Sequence, residues 1–156
     1  MVRLAFPVAA ALAGLAVAGC VDTKGCHTPS VWKPCAGSVA EPGASGTPPS
    51  IVELTVATCA YKDNPTVAGT LHATDPDGDA QVLKATSFEG VRTNEAELLL
   101  DDASRSGNDW SGSFVMQTVP TSGGMLTEGT DDVVMKVTDR AGAQSVPYCN
   151  TITIVP

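Results

Sequence analysis

Aromatic residues make up only 4% of the chain, and histidine occurs twice, as His27 and His72. Two histidines leave little material for an imidazole base or a histidine-rich metal centre. Basic residues are also few, with 9 Lys and Arg against 17 Asp and Glu and a net charge of −8. This balance argues against nucleic acid as a partner, because such binding depends on cations that neutralise phosphates. The sequence lacks GxSxG, HExxH, CxxC, Walker and GxGxxG patterns, the spacings that commonly carry hydrolytic, redox or nucleotide chemistry. His72 is out of phase with Val67 and Leu71 and reads as a solvated strand residue, while His27 sits in an irregular segment unsuited to holding a base in place. The chain therefore reads as a non-enzyme, with an envelope hydrolase as the remote alternative.

Only one long apolar run is present. It extends from Leu4 to Val17, follows the single early cation Arg3, and spans 14 residues, short of the roughly 20 that a membrane-spanning helix needs. A cation, a short apolar core and then small residues form a secretory signal. The run closes on Val17-Ala18-Gly19-Cys20, which resembles the lipobox of bacterial lipoproteins. The resemblance implies cleavage before Cys20, diacylglycerol on its thiol and usually an acyl group on the new amine. The alternative is an ordinary signal cut at Ala18 or Gly19, with Cys20 free for a disulfide. Val21 stands where inner-membrane retention in enterobacterial lipoproteins calls for Asp, so the resemblance favours the outer membrane.

Cysteine parity agrees with the lipobox. Five cysteines are odd for an exported chain, and lipidating Cys20 leaves Cys26, Cys35, Cys59 and Cys149 for two disulfides in an oxidising compartment. Two or three acyl chains anchor a protein where one does not. Removing residues 1–19 takes Arg3 with it, so the mature charge is −9.

Three parts follow from composition: a signal at 1–19; a segment at 20–50 with Cys20, a small cystine loop and a linker; and a domain at 51–156. Residues 36–50, AGSVAEPGASGTPPS, are nearly all small residues, Gly and Pro, too poor in apolar surface to offset ordering and so expected to be flexible. Trp32 is expected to fold over its own cystine loop, the alternative being an exposed aromatic for stacking. Residues 51–156 show β-branched runs between turn signals and no helical period. Strands are expected at 51–59, 66–74, 81–88, 94–100, 110–117, 132–138 and 144–155, separated by turns such as DPDGD (75–79) and DRAG (139–142). The stretch NEAELLL is the least strand-like of these, because Glu-Ala-Glu-Leu-Leu also favours a helical turn.

Alternation places Val52, Leu54 and Val56 inward, and likewise Trp110, Phe114 and Met116, then Val133, Met135 and Val137. Cys59 and Cys149 fall off the core face of the first and last strands. Their shared phase predicts the pair Cys59–Cys149, which leaves Cys26–Cys35. The phrases ATDPDGDA (73–80) and VTDRAGAQS (137–145) resemble those of bacterial immunoglobulin-like envelope domains, including cadherin-like and fibronectin-like variants. The resemblance implies an all-β, seven-stranded immunoglobulin-like β-sandwich acting as an envelope module, and it carries no catalytic residue. Two departures stand out: no cysteine pair on the second and sixth strands, and a core tryptophan on the fifth strand instead of the third.

In such a sandwich the second-third, fourth-fifth and sixth-seventh loops share one end. These loops bring Asp75, Asp77, Asp79, Asp101, Asp102, Asp109 and Asp139 together with only Arg105 and Arg140. The alternating carboxylates Asp75, Asp77 and Asp79 could converge on calcium, although the spacing is not that of an EF-hand. The simpler reading is a solvated acidic rim on a good turn. The expectation is thus a lipid-anchored, non-enzymatic envelope protein that meets the membrane through its lipid and an unknown envelope protein or surface through its domain. A calcium-dependent adhesion or structural module is the alternative.

Overall fold

The computed structural model describes residues 29–62, 66–89, 92–100, 105–117, 119–120 and 128–156. Cys20, Cys26, His27, Asp101 and Asp102 lie outside the described residues, as does the signal segment.

Two sheets face each other. The first has the order β1 (Pro29–Val31), β3 (Ser50–Ala57), β5 (Thr66–Thr74), β9 (Asp109–Gln117) and β8 (Arg105–Ser106). The second runs β10 (Val119–Pro120), β7 (Arg92–Leu99), β6 (Ala80–Glu89), β11 (Gly129–Asp139), β12 (Tyr148–Val155) and β2 (Lys33–Pro34), with β4 (Cys59–Tyr61) also paired to β12. All pairings are antiparallel except the short β4–β12 ladder. The seven long strands correspond to the seven expected from the sequence, and they form an immunoglobulin-like β-sandwich. Among the described residues no helix is long and apolar enough to cross a membrane.

The core follows the alternation. Leu54, Leu71, Leu83, Met135, Val137 and Ile152 are almost fully buried, and Trp110 and Phe114 join them. The NEAELLL stretch is a strand because β7 pairs along its whole length with β6 from Val82↔Leu99 to Glu89↔Arg92, so tertiary pairing overrides local helical preference. Val52 departs from expectation. The register slips between Ile51 and Glu53, so Ile51 turns inward and Val52 is 54% exposed. One extra residue in a strand reverses the phase on one side of it.

Residues 29–50 are part of the sandwich, and 36–50 are not a flexible linker. Trp32 is 2% exposed within the main core and donates its backbone N–H to Leu54 O at 2.8 Å. It lies neither over a cystine loop of its own nor in solvent. Its neighbours β1 and β2 join opposite sheets, through Val31↔Thr55 and Lys33↔Cys149, so the chain crosses from one layer to the other at Trp32. Further on, Glu41 exchanges two backbone hydrogen bonds with Gln144, and Ala44 N–H donates to Ala141 O at 3.0 Å. Gly43 lies so close to this turn that a Cβ there would fall 2.4 Å from Ala143 N. Small residues at 36–50 thus serve close backbone packing as well as turns.

The expected cysteine pairs are also corrected. Cys35 is bonded to Cys149, with their Cα atoms 5.1 Å apart, and Cys59 is in a disulfide as well. The β2–β12 ladder ends beside Cys149, and Cys35 N–H donates to Pro147 O at 2.9 Å, which brings the two side chains into bonding range. Cys59 cannot reach Cys149. It opposes Thr153, four residues further along β12, or about 13 Å at a strand's rise. Disulfides need Cα separations of about 4.4–6.8 Å.

Candidate functional site

The acidic end is where three loops meet. Asp75 continues the inward phase of Leu71 and Ala73 past the end of β5, and Asp139 continues that of Val133, Met135 and Val137 at the end of β11. Both are therefore carried into the rim of the core, at 1% and 3% exposure. Asp79 follows the glycine turn that leads into β6. Gly78 has φ of +72°, a left-handed conformation that glycine adopts without a Cβ penalty.

Asp75 organises the turn. Its Oδ1 accepts Asp77 N–H and its Oδ2 accepts Asp79 N–H, both at 3.0 Å, a carboxylate-capped turn. Asp75 N–H donates to Asn108 O at 2.8 Å, and Asn108 Nδ2 donates to Pro76 O at 3.0 Å. Arg105 donates to the carbonyls of Gly78 and Ala80. On the other side Arg140 N–H donates to Asp79 O at 3.2 Å, and Asp139 Oδ1 accepts Ala143 N–H at 2.8 Å. The three loops are one hydrogen-bonded unit.

Within it, one carboxylate oxygen from each of Asp75, Asp79 and Asp139 lies within 4.8 Å of the others. Asp77 does not belong to this group. It is exposed at the turn's apex, and its Oδ2 accepts Thr47 N–H. Asp109 lies apart too, exposed and 3.8 Å from His72 Nε2. The structure therefore divides the alternating trio and adds Asp139. The signal for that addition is present in the sequence, as the inward phase of β11 runs on to Asp139.

Two oxygens of the group, Asp79 Oδ1 and Asp139 Oδ2, are buried without a hydrogen-bond partner. A buried polar atom left so costs about 1–3 kcal/mol, and more when charged. Burial, followed by the charges of Asp75 and Asp139, pushes the Asp79 carboxyl above its ordinary value of 3.8. The arrangement can lower its energy in two ways, by retaining a proton or by holding a cation.

The raised value fixes a sign for pH dependence. A carboxyl that binds its proton more tightly in the fold contributes stability below pH 3.8, lost as pH rises through the folded-state value. In chelator, wild type should therefore gain stability relative to Asp79→Asn as pH falls from 7 toward 4, and Asp79→Asn should be the more stable protein at pH 7. Paired urea titrations across this range check both.

A separate groove of about 440 Å³ lies where residues 34–50 cross the start of β12, lined by Pro34, Pro48, Pro49, Ile51, Val146 and Tyr148. The Tyr148 hydroxyl donates to Ile51 O at 2.8 Å, and burial raises its pKa above the usual 10.0. The groove walls carry hydroxyls from Ser50 and Tyr148 but no carboxylate or imidazole.

No protein-family model and no curated protein sequence matches the chain. Among solved structures it is similar to a Niemann-Pick type C2 protein from Japanese carpenter ant, with 6% identity and a TM-score of 0.41, over 74% of this chain and 98% of that one. A likeness this loose bears on neither ligand nor mechanism.

Proposed function

We propose that the protein is a lipid-anchored component of a bacterial envelope, with the outer membrane favoured, that presents its immunoglobulin-like domain for non-enzymatic contact with another protein or surface. The observation that carries this reading is the sequence Val17-Ala18-Gly19-Cys20 at the end of a 14-residue apolar run. The disulfide-bonded domain supports it, because such bonds persist in oxidising compartments. An immunoglobulin-like sandwich suits display, since its loops and sheet faces can engage a partner without catalytic machinery. No nucleic acid enters this reading, and the membrane is met only through lipid on Cys20.

Cys20→Ser tests it. The variant should lose most of its sedimentation with membranes, or accumulate with its signal uncut, while the Cys35–Cys149 bond still forms. Metabolic labelling with palmitate should mark wild type and not the variant. A variant that matures normally and remains in the membrane fraction would end the lipid-anchor reading.

A further inference from the structure

We propose that Asp75, Asp79 and Asp139 bind one divalent cation, calcium by preference, and that this ion fastens the strap at residues 41–47 to the loops of the acidic end. The inference is independent of the lipid anchor.

Two observations point to a ligand. The first is convergence. Three oxygens within 4.8 Å of one another share a centre at most about 2.8 Å from each, so a shift of a few tenths of an ångström brings all three to calcium's ligand distance of about 2.3–2.6 Å. The second is the state of Asp139. It is 3% exposed, yet only its Oδ1 has a donor, and Oδ2 is left buried and unpartnered. Asp79 is half-buried, but its Oδ1 is likewise shielded and without a partner. A solvated acidic rim would leave these oxygens to water, whereas here the fold shields them. Carboxylate oxygens are hard ligands that suit calcium or magnesium, and calcium tolerates an irregular set with the remaining positions filled by water.

The strap follows from the same residues. Asp75 orients the turn whose apex, Asp77, accepts Thr47 N–H, and a Cβ on Gly46 would fall 2.6 Å from Asp77 Oδ2. Asp139 orients the turn whose backbone binds Ala44 and, through Gln144, Glu41. An ion shared by Asp75 and Asp139 therefore holds both anchor points of the strap at once. Without it, the like charges push these two points apart.

The test uses the full mature protein in detergent, stripped with chelator and then titrated with calcium or magnesium chloride. Calorimetry should find one calcium per chain. The melting temperature should rise by roughly 5–10 °C at free calcium about a hundredfold above the dissociation constant, and return in chelator. Amide exchange at Ala44 and Thr47 should slow at least severalfold with calcium. Asp139→Asn should weaken binding tenfold or more, while Asp77→Ala should leave affinity within about threefold and speed exchange at Thr47. Wild type that is folded and shows neither heat nor a melting shift in millimolar calcium or magnesium overturns the site, whatever the variants do. Calcium binding with unchanged exchange at both amides overturns the strap. Affinity lost in Asp77→Ala but kept in Asp139→Asn would overturn the ligand set.

Discussion

Replacing Cys35 and Cys149 together by alanine should cost the folded protein about 4–5 kcal/mol. The bond joins positions separated by 114 residues, and in the chain-entropy model closing a loop of that length removes about this much free energy from the denatured state's advantage. Single domains have total stabilities of about 5–15 kcal/mol, so the loss is a large share of the whole and could leave the variant largely unfolded at 37 °C. The bond also acts locally. It fixes the end of β2 to the start of β12, next to the hydrogen bond from Cys35 N–H to Pro147 O, so its removal frees the edge at which the amino-terminal segment joins the second sheet. Urea unfolding of the double variant against wild type measures the cost. A loss below about 1 kcal/mol would mean that the denatured chain already holds these ends together. Non-reducing peptide mapping checks the pairing itself. It should yield a Cys35–Cys149 peptide and, with lipid on Cys20, a second one joining Cys59 to Cys26. A peptide joining Cys59 to Cys20 would contradict lipidation directly.

The strand pattern was legible because it depends on side chains two residues apart. Leu71 and Ala73, Phe114 and Met116, and Val133, Met135 and Val137 alternate cleanly with their neighbours, and the structure buries each of them. Features set by register between distant strands were not legible in this way. The bulge at Val52 inverts a phase that the sequence repeats without interruption. The cysteine pairing depends on which strand lies beside β12 and at what offset. Cys59 and Cys149 share a phase, but phase fixes only the face, not the four-residue stagger along the strand.

The acidic end was half legible for a related reason. Topology places the loop after β5 beside the loop after β11, so Asp75 and Asp139 were expected at one end. Spacing alone favoured Asp75, Asp77 and Asp79, since carboxylates at alternating positions of a tight turn can converge on one cation. At Gly78, however, the chain reverses. Asp77 is sent outward to the strap, and its place is taken by Asp139, whose position depends on the length of β11. The strap itself was misread because its composition matches that of a linker. Gly43 and Gly46 supply close approach to neighbouring backbone and to Asp77, a role that composition does not distinguish from flexibility.

Trp32→Ala should destabilise the protein by about 3–5 kcal/mol, the usual cost of truncating a fully buried large aromatic. The indole is 2% exposed and lies in the same core cluster as Leu54, Trp110 and Ile152, so alanine leaves a cavity between the two sheets, flanked by the backbone ladders of β1 and β2. Those ladders are short, with β1 three residues long and β2 two. Beyond the Cys35–Cys149 bond that follows β2, they have little pairing of their own to keep the segment docked once the indole is gone. The loss should therefore include undocking of β1 and β2 and appear as faster amide exchange at Val31 and Trp32's neighbours in β3. Val39→Ala provides the control. Val39 belongs to the same amino-terminal segment but is 74% exposed, and truncating it should change stability by no more than about 0.5 kcal/mol. Urea midpoints for the two variants separate the cases, with unchanged slopes expected if unfolding remains one cooperative step. A tethered linker outside the domain would make both substitutions near neutral. A loss of several kcal/mol in Trp32→Ala alone would place β1 and β2 inside the cooperative unit and make them structural members of the sandwich that they enter.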